Sequence, residues 1–197
     1  FKSRIYLDNK IIILTPSNTL KGSWYDGIYN INRELDNLKE SYNKQCTGDN
    51  YSKKNIIRSG ETKEDIVRIR RRRNKEIEKY YELMGYQKFA NMFETKFESF
   101  KDDSGDKHYY KNLIEFIKRT YSNRVIICDE IQYTREGSNI KTQTDLDGNE
   151  VVSGKKIRNC LELICRYSVN TKIILLSATP MYDVTKEIIW LMNLLLL

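Results

Sequence analysis

The stretch Arg124–Gln132, RVIICDEIQ, decides the fold. Its apolar run Val125–Cys128 predicts a short buried strand, because a core helix needs a longer segment. Asp129 and Glu130 follow where that strand ends. In a parallel α/β sheet the ligand crevice lies at the carboxyl ends of the strands, and two acids there suit a hydrated magnesium ion and a water that must be activated. A strand that runs into a solvated loop is the alternative, and the Asp-Glu pair alone does not exclude it.

Two further strands are predicted from apolar runs. Lys172–Leu176 is the second buried strand, and it ends in Ser177–Ala178–Thr179–Pro180. Lys10–Pro16 is the first buried strand along the chain, and Pro16 stops it. A residue at 17–19 can cap the helix that follows, whose apolar face would contain Leu20, Trp24 and Ile28.

The bulk composition is that of a globular protein. The chain has 197 residues, with 40% hydrophobic and 31% charged residues, enough for one or two domains. A net charge of +7 favours a polyanionic partner. The four cysteines lack metal-ligand spacing, so we expect reduced thiols and an intracellular protein. The apolar run Ile188–Leu197 is far shorter than the roughly 20 residues of a membrane span, and we expect no membrane partner.

Periodicity predicts the remaining elements. We expect a short strand at 81–86 and helices at 64–80, from 87 onward, and at 108–121, 155–167 and 185–197. The polar stretches 36–60 and 133–152 are interpreted as surface insertions. The helix at 64–80 carries the arginines Arg68 and Arg70–Arg73, which suit phosphate contacts. A solvated helix face, its charges balanced by nearby acids, explains them equally well.

The order of these segments resembles the superfamily 2 helicases. The Asp129–Gln132 segment resembles their motif II, Ser177–Ala178–Thr179 their motif III, and Thr15–Leu20 their motif Ia, which holds the nucleic-acid backbone. ATPMYD at 178–183, EIIWLMNLL at 187–195 and YELMGYQKF at 81–89 are similar to one viral group. This group contains the poxvirus early-transcription-factor small subunit, nucleoside triphosphatase I and helicases of mimivirus-like giant viruses. Two positions depart from the pattern, Gly85 where Thr is usual and Gln132 where His or Asp is commonest.

The resemblance implies that residues 1–197 are part of the first RecA-like domain, an α/β fold with a parallel sheet flanked by helices. In the family a strand and a phosphate loop precede motif Ia, and a βαβ unit takes roughly 30 residues or more. Only ten residues precede Ile11. We therefore expect an interior piece of a larger protein, whose remainder would supply the phosphate loop and a second RecA-like domain.

The roles implied by the resemblance are those of an ATP-dependent helicase or nucleoside triphosphatase with Mg²⁺. Asp129 would hold magnesium through water, Glu130 would deprotonate the attacking water, and Gln132 would bridge a phosphate or the motif III hydroxyls. Ser177, Ala178 and Thr179 would couple the nucleotide state to the nucleic-acid groove. The expected nucleic-acid contacts are Thr15, Pro16, Ser17, Lys21, Arg70, Arg71, Arg72, Arg73, Tyr86 and Lys88.

Two rival functions stay open. One is a non-catalytic nucleic-acid-binding or scaffold module, since the chain itself has no phosphate loop. The other is a Snf2-like duplex translocase. DNA or RNA is the expected partner in each reading, with transcription machinery as a further candidate. If the protein is viral, we expect it in the host cytoplasm or the virion.

Overall fold

A computed structural model describes residues 9–36, 45, 47, 50–51, 54–102, 106–134, 154–180 and 185–197. The fold is α/β, with a four-stranded, all-parallel sheet flanked by helices. This confirms the predicted fold class at that level. The strand order in the sheet is β2-β1-β3-β4.

Apart from α2, which was not predicted, the helices and strands follow the predicted order along the chain. They are β1 (Ile11–Thr15), α1 (Asn18–Ile28), α2 (Ile31–Asp36), α3 (Ile66–Ile77), β2 (Tyr81–Gly85), α4 (Tyr86–Asp102), α5 (Asp106–Tyr121), β3 (Val125–Cys128), α6 (Gly154–Tyr167), β4 (Lys172–Leu175) and α7 (Thr185–Leu195). Short 3₁₀ turns occupy Lys63–Asp65 and Ile131–Thr134.

The chain divides into two compact units. The first unit consists of Phe1–Pro16 and Met84–Leu197, and the second of Ser17–Leu83. Strands β1, β3 and β4 and the acids at the end of β3 all belong to the first unit.

The register of β3 against its neighbours is the feature that positions the site. Ile127 of β3 pairs with Ile13 of β1 on one side and with Ile174 of β4 on the other, both in parallel orientation. The expectation that β4 is buried is wrong, since Ile174 is 43% exposed. The reason is its place in the sheet: β4 is an edge strand, so its side chains are covered less completely than those of central β3.

The core of the first unit is rich in aromatic side chains. Phe89 and Phe93 of α4 have ring centroids 5.1 Å apart and pack against Tyr121 of α5, at 6.3 and 5.3 Å respectively. Such tilted and stacked pairs stabilise a core beyond the area that they bury. From the other helices, α6 contributes Ile157 and Leu161, as its periodicity predicts.

The second unit has its own apolar core and a well-capped first helix. Ser17 is the N-cap of α1, and its hydroxyl accepts a hydrogen bond from the Leu20 amide at 3.2 Å. Within α1 the buried side chains are Tyr25 and Ile28, so the predicted apolar face is only partly right. Tyr25 lies one residue beyond Trp24, which rotates the buried stripe around the helix.

The interpretation of 36–60 as a surface insertion is wrong for several of its described residues. Tyr51 and Ile56 are buried in the core of the second unit, at 6% and 1% exposure. The amide of Gln45 is buried too. It accepts from the backbone N–H of Asn30 at 3.0 Å and donates to the Asn30 carbonyl at 2.9 Å. Of the predicted insertion 133–152, residues 135–152 lie outside the described part of the chain.

Candidate functional site

We define the carboxyl edge of the first unit as the segments that follow β1, β3 and β4. They begin at Pro16, Asp129 and Leu176 respectively. Because the three strands are parallel and adjacent, these segments meet at one edge of the sheet. The prediction that the β3 acids and the β4 hydroxyls lie on neighbouring strand ends is therefore confirmed.

The backbone around the two acids is fixed from both neighbouring strands. The Asp129 amide donates to the Leu14 carbonyl of β1 at 2.9 Å, and the Ile131 amide donates to the Leu176 carbonyl at 3.0 Å. Between these two anchors Glu130 adopts a left-handed conformation, with φ of 53°. This conformation is uncommon for a residue with a long side chain.

A chain of side-chain hydrogen bonds links the two strand ends. Gln132 donates through Nε2 to Oε2 of Glu130, and its Oε1 accepts from Ser177 Oγ at 2.6 Å. Ser177 Oγ also accepts from the backbone amide of Thr179 at 3.1 Å. Ser177 thus makes both the contact across the strand ends and the local turn contact, which the sequence left as alternatives. Ala178 and Thr179 are exposed beside it.

Tyr86 contacts this site from the start of α4. Its hydroxyl donates to the backbone carbonyl of Asp129 at 2.9 Å. Burial raises the pKa of Tyr86 well above its usual value, and the nearby Cys128, Asp129 and Glu130 raise it further. The hydroxyl therefore stays protonated and acts as a donor at neutral pH. The Cys128 thiol is held in its neutral form by complete burial, which raises its pKa strongly.

Asp129 and Glu130 are the residues of the carboxyl edge that could hold a hydrated magnesium ion. Within the described ranges, no three His, Cys, Asp or Glu side chains come together as a metal site. Mg²⁺ in nucleotide sites is commonly held by one or two carboxylates together with phosphate oxygens and water. The half-buried Asp129 carboxylate and the neighbouring Glu130 match that donor set.

Several predicted nucleic-acid contacts are buried and have other partners, so these assignments need correction. Thr15 is 0% exposed and Tyr86 is 4% exposed, which leaves neither side chain a surface for a phosphate or a base. Arg73 is 4% exposed and forms an ion pair with Asp26. Arg72 donates to the Ile56 carbonyl at 2.8 Å and is paired with Glu61. These arginines hold the second unit together.

The remaining predicted contacts are accessible. Arg70 and Arg71 are exposed on α3. Ser17, at the start of α1, and Lys88, in α4, are exposed as well. Pro16 and Lys21 are half-buried, and Lys21 Nζ lies 6.0 Å from the centroid of the Tyr25 ring. The arginine run therefore has two parts, with Arg72 and Arg73 in structural ion pairs and Arg70 and Arg71 facing solvent.

Two features of the site were missed from the sequence. One is the Tyr86 hydroxyl bond to Asp129, for which the only sequence signal is a tyrosine among the core phenylalanines of α4. The other is a small cleft beside Gln132 that is lined by Pro180, Arg158 and Trp190. The Arg158 guanidinium stacks 4.1 Å from the Trp190 ring centroid, and Trp190 Nε1 donates to Glu162 at 2.8 Å.

No protein-family model, curated protein or solved structure gives a significant match to this chain. None of the described helices is both long and apolar enough to cross a membrane. The carboxyl edge is therefore interpreted from its own chemistry, together with the sequence motifs.

Proposed function

We propose that this chain is part of the first RecA-like domain of an ATP-dependent nucleic-acid motor, a helicase or translocase. The observation that carries the proposal is the hydrogen-bonded chain from Glu130 through Gln132 to Ser177. It joins a carboxylate that can accept a proton from water to a hydroxyl at the end of the next strand. The helicase-like order of motifs in the sequence supports the same reading.

The chain's own residues would hold the magnesium ion, orient the Glu130 carboxylate and move one proton. Bound Mg²⁺ would neutralise charge on the phosphate oxygens of ATP. Asp129 would hold that ion through water. Gln132 orients the Glu130 carboxylate by donating to Oε2, and Glu130 takes the proton of the attacking water. Ser177 is bonded to Gln132, so a change in the position of Gln132 alters a contact at the end of β4 as well.

The test compares the full-length protein that contains this chain with its Glu130→Gln variant. We expect nucleic-acid-stimulated ATP hydrolysis in the first and a rate lower by about 10²–10⁴-fold in the second, because the general base is removed. Glu98→Gln, an exposed glutamate on α4, is the control that should leave turnover unchanged. Equal rates for the parent and Glu130→Gln would refute the proposal.

A non-catalytic nucleic-acid-binding module remains the second candidate, and one observation favours it. The sequence contains no Gly-x-x-x-x-Gly-Lys-Ser/Thr segment to bind phosphates through backbone amides and a lysine. Gly154 and Lys155 lack that context, since Gly154 begins α6 and Lys156 follows where Ser or Thr is required. We therefore expect the isolated 197-residue chain to hydrolyse no ATP above its own Glu130→Gln control.

Nucleic-acid binding is assigned to the exposed arginines of α3. Replacing Arg70 and Arg71 by Ser should flatten the slope of log affinity against log salt concentration by about 0.7–0.9 for each phosphate that is no longer neutralised. Lys75→Ser, which removes an exposed cation from the last turn of the same helix, is the matched control. An unchanged slope in the double variant would mean that these arginines form only a solvated face.

A further inference from the structure

The Tyr86 hydroxyl is hydrogen-bonded to the peptide group that joins Asp129 to Glu130. It donates to the carbonyl oxygen of Asp129, which belongs to the peptide bond between Asp129 and Glu130. The strand contacts on either side, through the amides of Asp129 and Ile131, fix the two adjoining peptides. Tyr86 thus supplies a contact at the point where the backbone turns into the left-handed conformation of Glu130.

The surroundings of Tyr86 indicate that its hydroxyl, rather than its ring, distinguishes it from the neighbouring phenylalanines. Phe89 and Phe93, one and two turns further along α4, are fully buried in the same core and have no polar atom in the side chain. A tyrosine in such a core is stable only where its hydroxyl finds a partner. Here the partner is the acid-bearing segment itself, at 2.9 Å.

We infer that Tyr86 is a positioning residue, whose hydroxyl fixes the Asp129–Glu130 peptide and so directs the Glu130 carboxylate. This inference rests on the proposed function for its effect on turnover. It replaces the expected contact of Tyr86 with nucleic acid by a role inside the site. The same hydrogen bond connects α4 to the segment between β3 and Gln132, the residue that accepts from Ser177.

The first experiment separates positioning from general stability by two matched hydroxyl deletions. Tyr86→Phe and Tyr25→Phe each remove one hydroxyl from a buried tyrosine, at 4% and 5% exposure. Each deleted hydroxyl is hydrogen-bonded, to Asp129 at 2.9 Å and to Glu78 at 2.5 Å respectively. In the full-length protein we expect similar decreases in melting temperature. Only Tyr86→Phe should lower kcat, by about tenfold or more, with KM for ATP changed less than about twofold.

A second measurement does not depend on ATP hydrolysis. Native-state hydrogen exchange reports the protection of the Ile131 amide, which is bonded to Leu176. Tyr86→Phe should speed exchange at Ile131 by about fivefold beyond the change expected from its decrease in global stability. In Tyr25→Phe the change at Ile131 should match the global change.

The two readouts keep this inference distinguishable from the proposed function. If the parent protein shows no Glu130-dependent turnover, the proposed function fails, and hydrogen exchange alone decides the role of Tyr86. If turnover depends on Glu130 but Tyr86→Phe keeps the parental kcat, positioning is overturned while the proposed function stands. Unchanged protection at Ile131 in Tyr86→Phe overturns it as well.

Discussion

The two edges of the sheet in the first unit solve the same backbone problem with different residues. At the amino edge, the segments before β3 and β4 turn through Asn123 and Asn170, which are left-handed with φ of 57° and 55°. At the carboxyl edge, Glu130 is left-handed with φ of 53°. Asparagine is among the few non-glycine residues that adopt this conformation readily, whereas glutamate is not.

The hydrogen bonds at the amino edge join the turn before β3 to the turn before β4. The Asn123 amide donates to the Val169 carbonyl at 2.9 Å, and the Val169 amide donates to Ser122 Oγ at 3.0 Å. Thr171 Oγ1 donates to the Tyr121 carbonyl at 2.9 Å. One of these contacts is a backbone hydrogen bond and two join a side chain to the backbone of the adjacent segment, which is what a stable pair of turns requires.

The carboxyl edge differs in that its chain of side-chain hydrogen bonds across strands ends on a carboxylate. A left-handed non-glycine residue costs on the order of 1–2 kcal/mol. The difference teaches that residue choice follows local stability at the amino edge. At Glu130, by contrast, the left-handed conformation is taken by a residue that gains no local help from it, and such backbone outliers cluster at functional sites.

The largest effect expected from the comparison of the two edges concerns their pairs of hydroxyl side chains. Ser177→Ala with Thr179→Ala should keep at least part of the ATPase of the full-length protein, because Asp129 and Glu130 remain. It should lower strand separation or translocation by about tenfold, since the link from Gln132 to the end of β4 is broken. ATPase and motor assays on the same preparation provide the measurement.

The control for this pair is Ser122→Ala with Thr171→Ala at the amino edge. Removing each hydroxyl there should cost about 1 kcal/mol of unfolding free energy. Motor output per ATP should stay at the parental level, because these contacts connect only turns. If both double variants lose stability and neither loses coupling, Ser177 and Thr179 are structural, and the two edges do not differ in function.

A smaller effect tests the conformational difference directly. Glu130→Asn and Glu130→Gln both remove the carboxylate, but only asparagine suits the left-handed backbone. We expect Glu130→Asn to unfold with a free energy about 0.5–1 kcal/mol higher than that of Glu130→Gln. Urea unfolding of the two variants under one set of conditions provides the comparison. Equal stabilities would show that the backbone of Glu130 is relaxed and that this edge resembles the other.

Much of the fold was predictable from the sequence, because apolar runs and helical periods are local signals. The strand Val125–Cys128, the strand at Tyr81–Gly85 and the inward face of α6 follow from them. The partial exposure of β4 was not predictable, since a central and an edge strand of a parallel sheet have similar apolar sequences. The burial of Tyr51 and Ile56 was not predicted either, because the polar stretch around them has no period that would indicate a core position.

The site was predictable as a set of residues and less so as a set of contacts. Strand ends placed Asp129, Glu130 and Ser177 together, since parallel neighbouring strands share an edge. The conformation of Glu130 and the direction of the Tyr86 hydroxyl depend on tertiary packing, which no local pattern encodes. Burial of Arg73 against Asp26 was missed because a run of arginines gives no sign of which member faces inward.

The smallest expected effect lies at the amino edge and concerns Asn170. Its side chain donates to Asn123 Oδ1 at 3.3 Å in an exposed position, so this contact contributes little. Glycine adopts the left-handed conformation without strain but is more flexible when unfolded. These terms oppose each other, and Asn170→Gly should change the unfolding free energy by less than about 0.5 kcal/mol.

Asn170→Ala should cost about 1 kcal/mol, because alanine has the full left-handed penalty. Urea unfolding of both variants gives the measurement. If Asn170→Ala proves as stable as Asn170→Gly, the asparagines of the amino edge are not chosen for their backbone, and the contrast with Glu130 no longer holds.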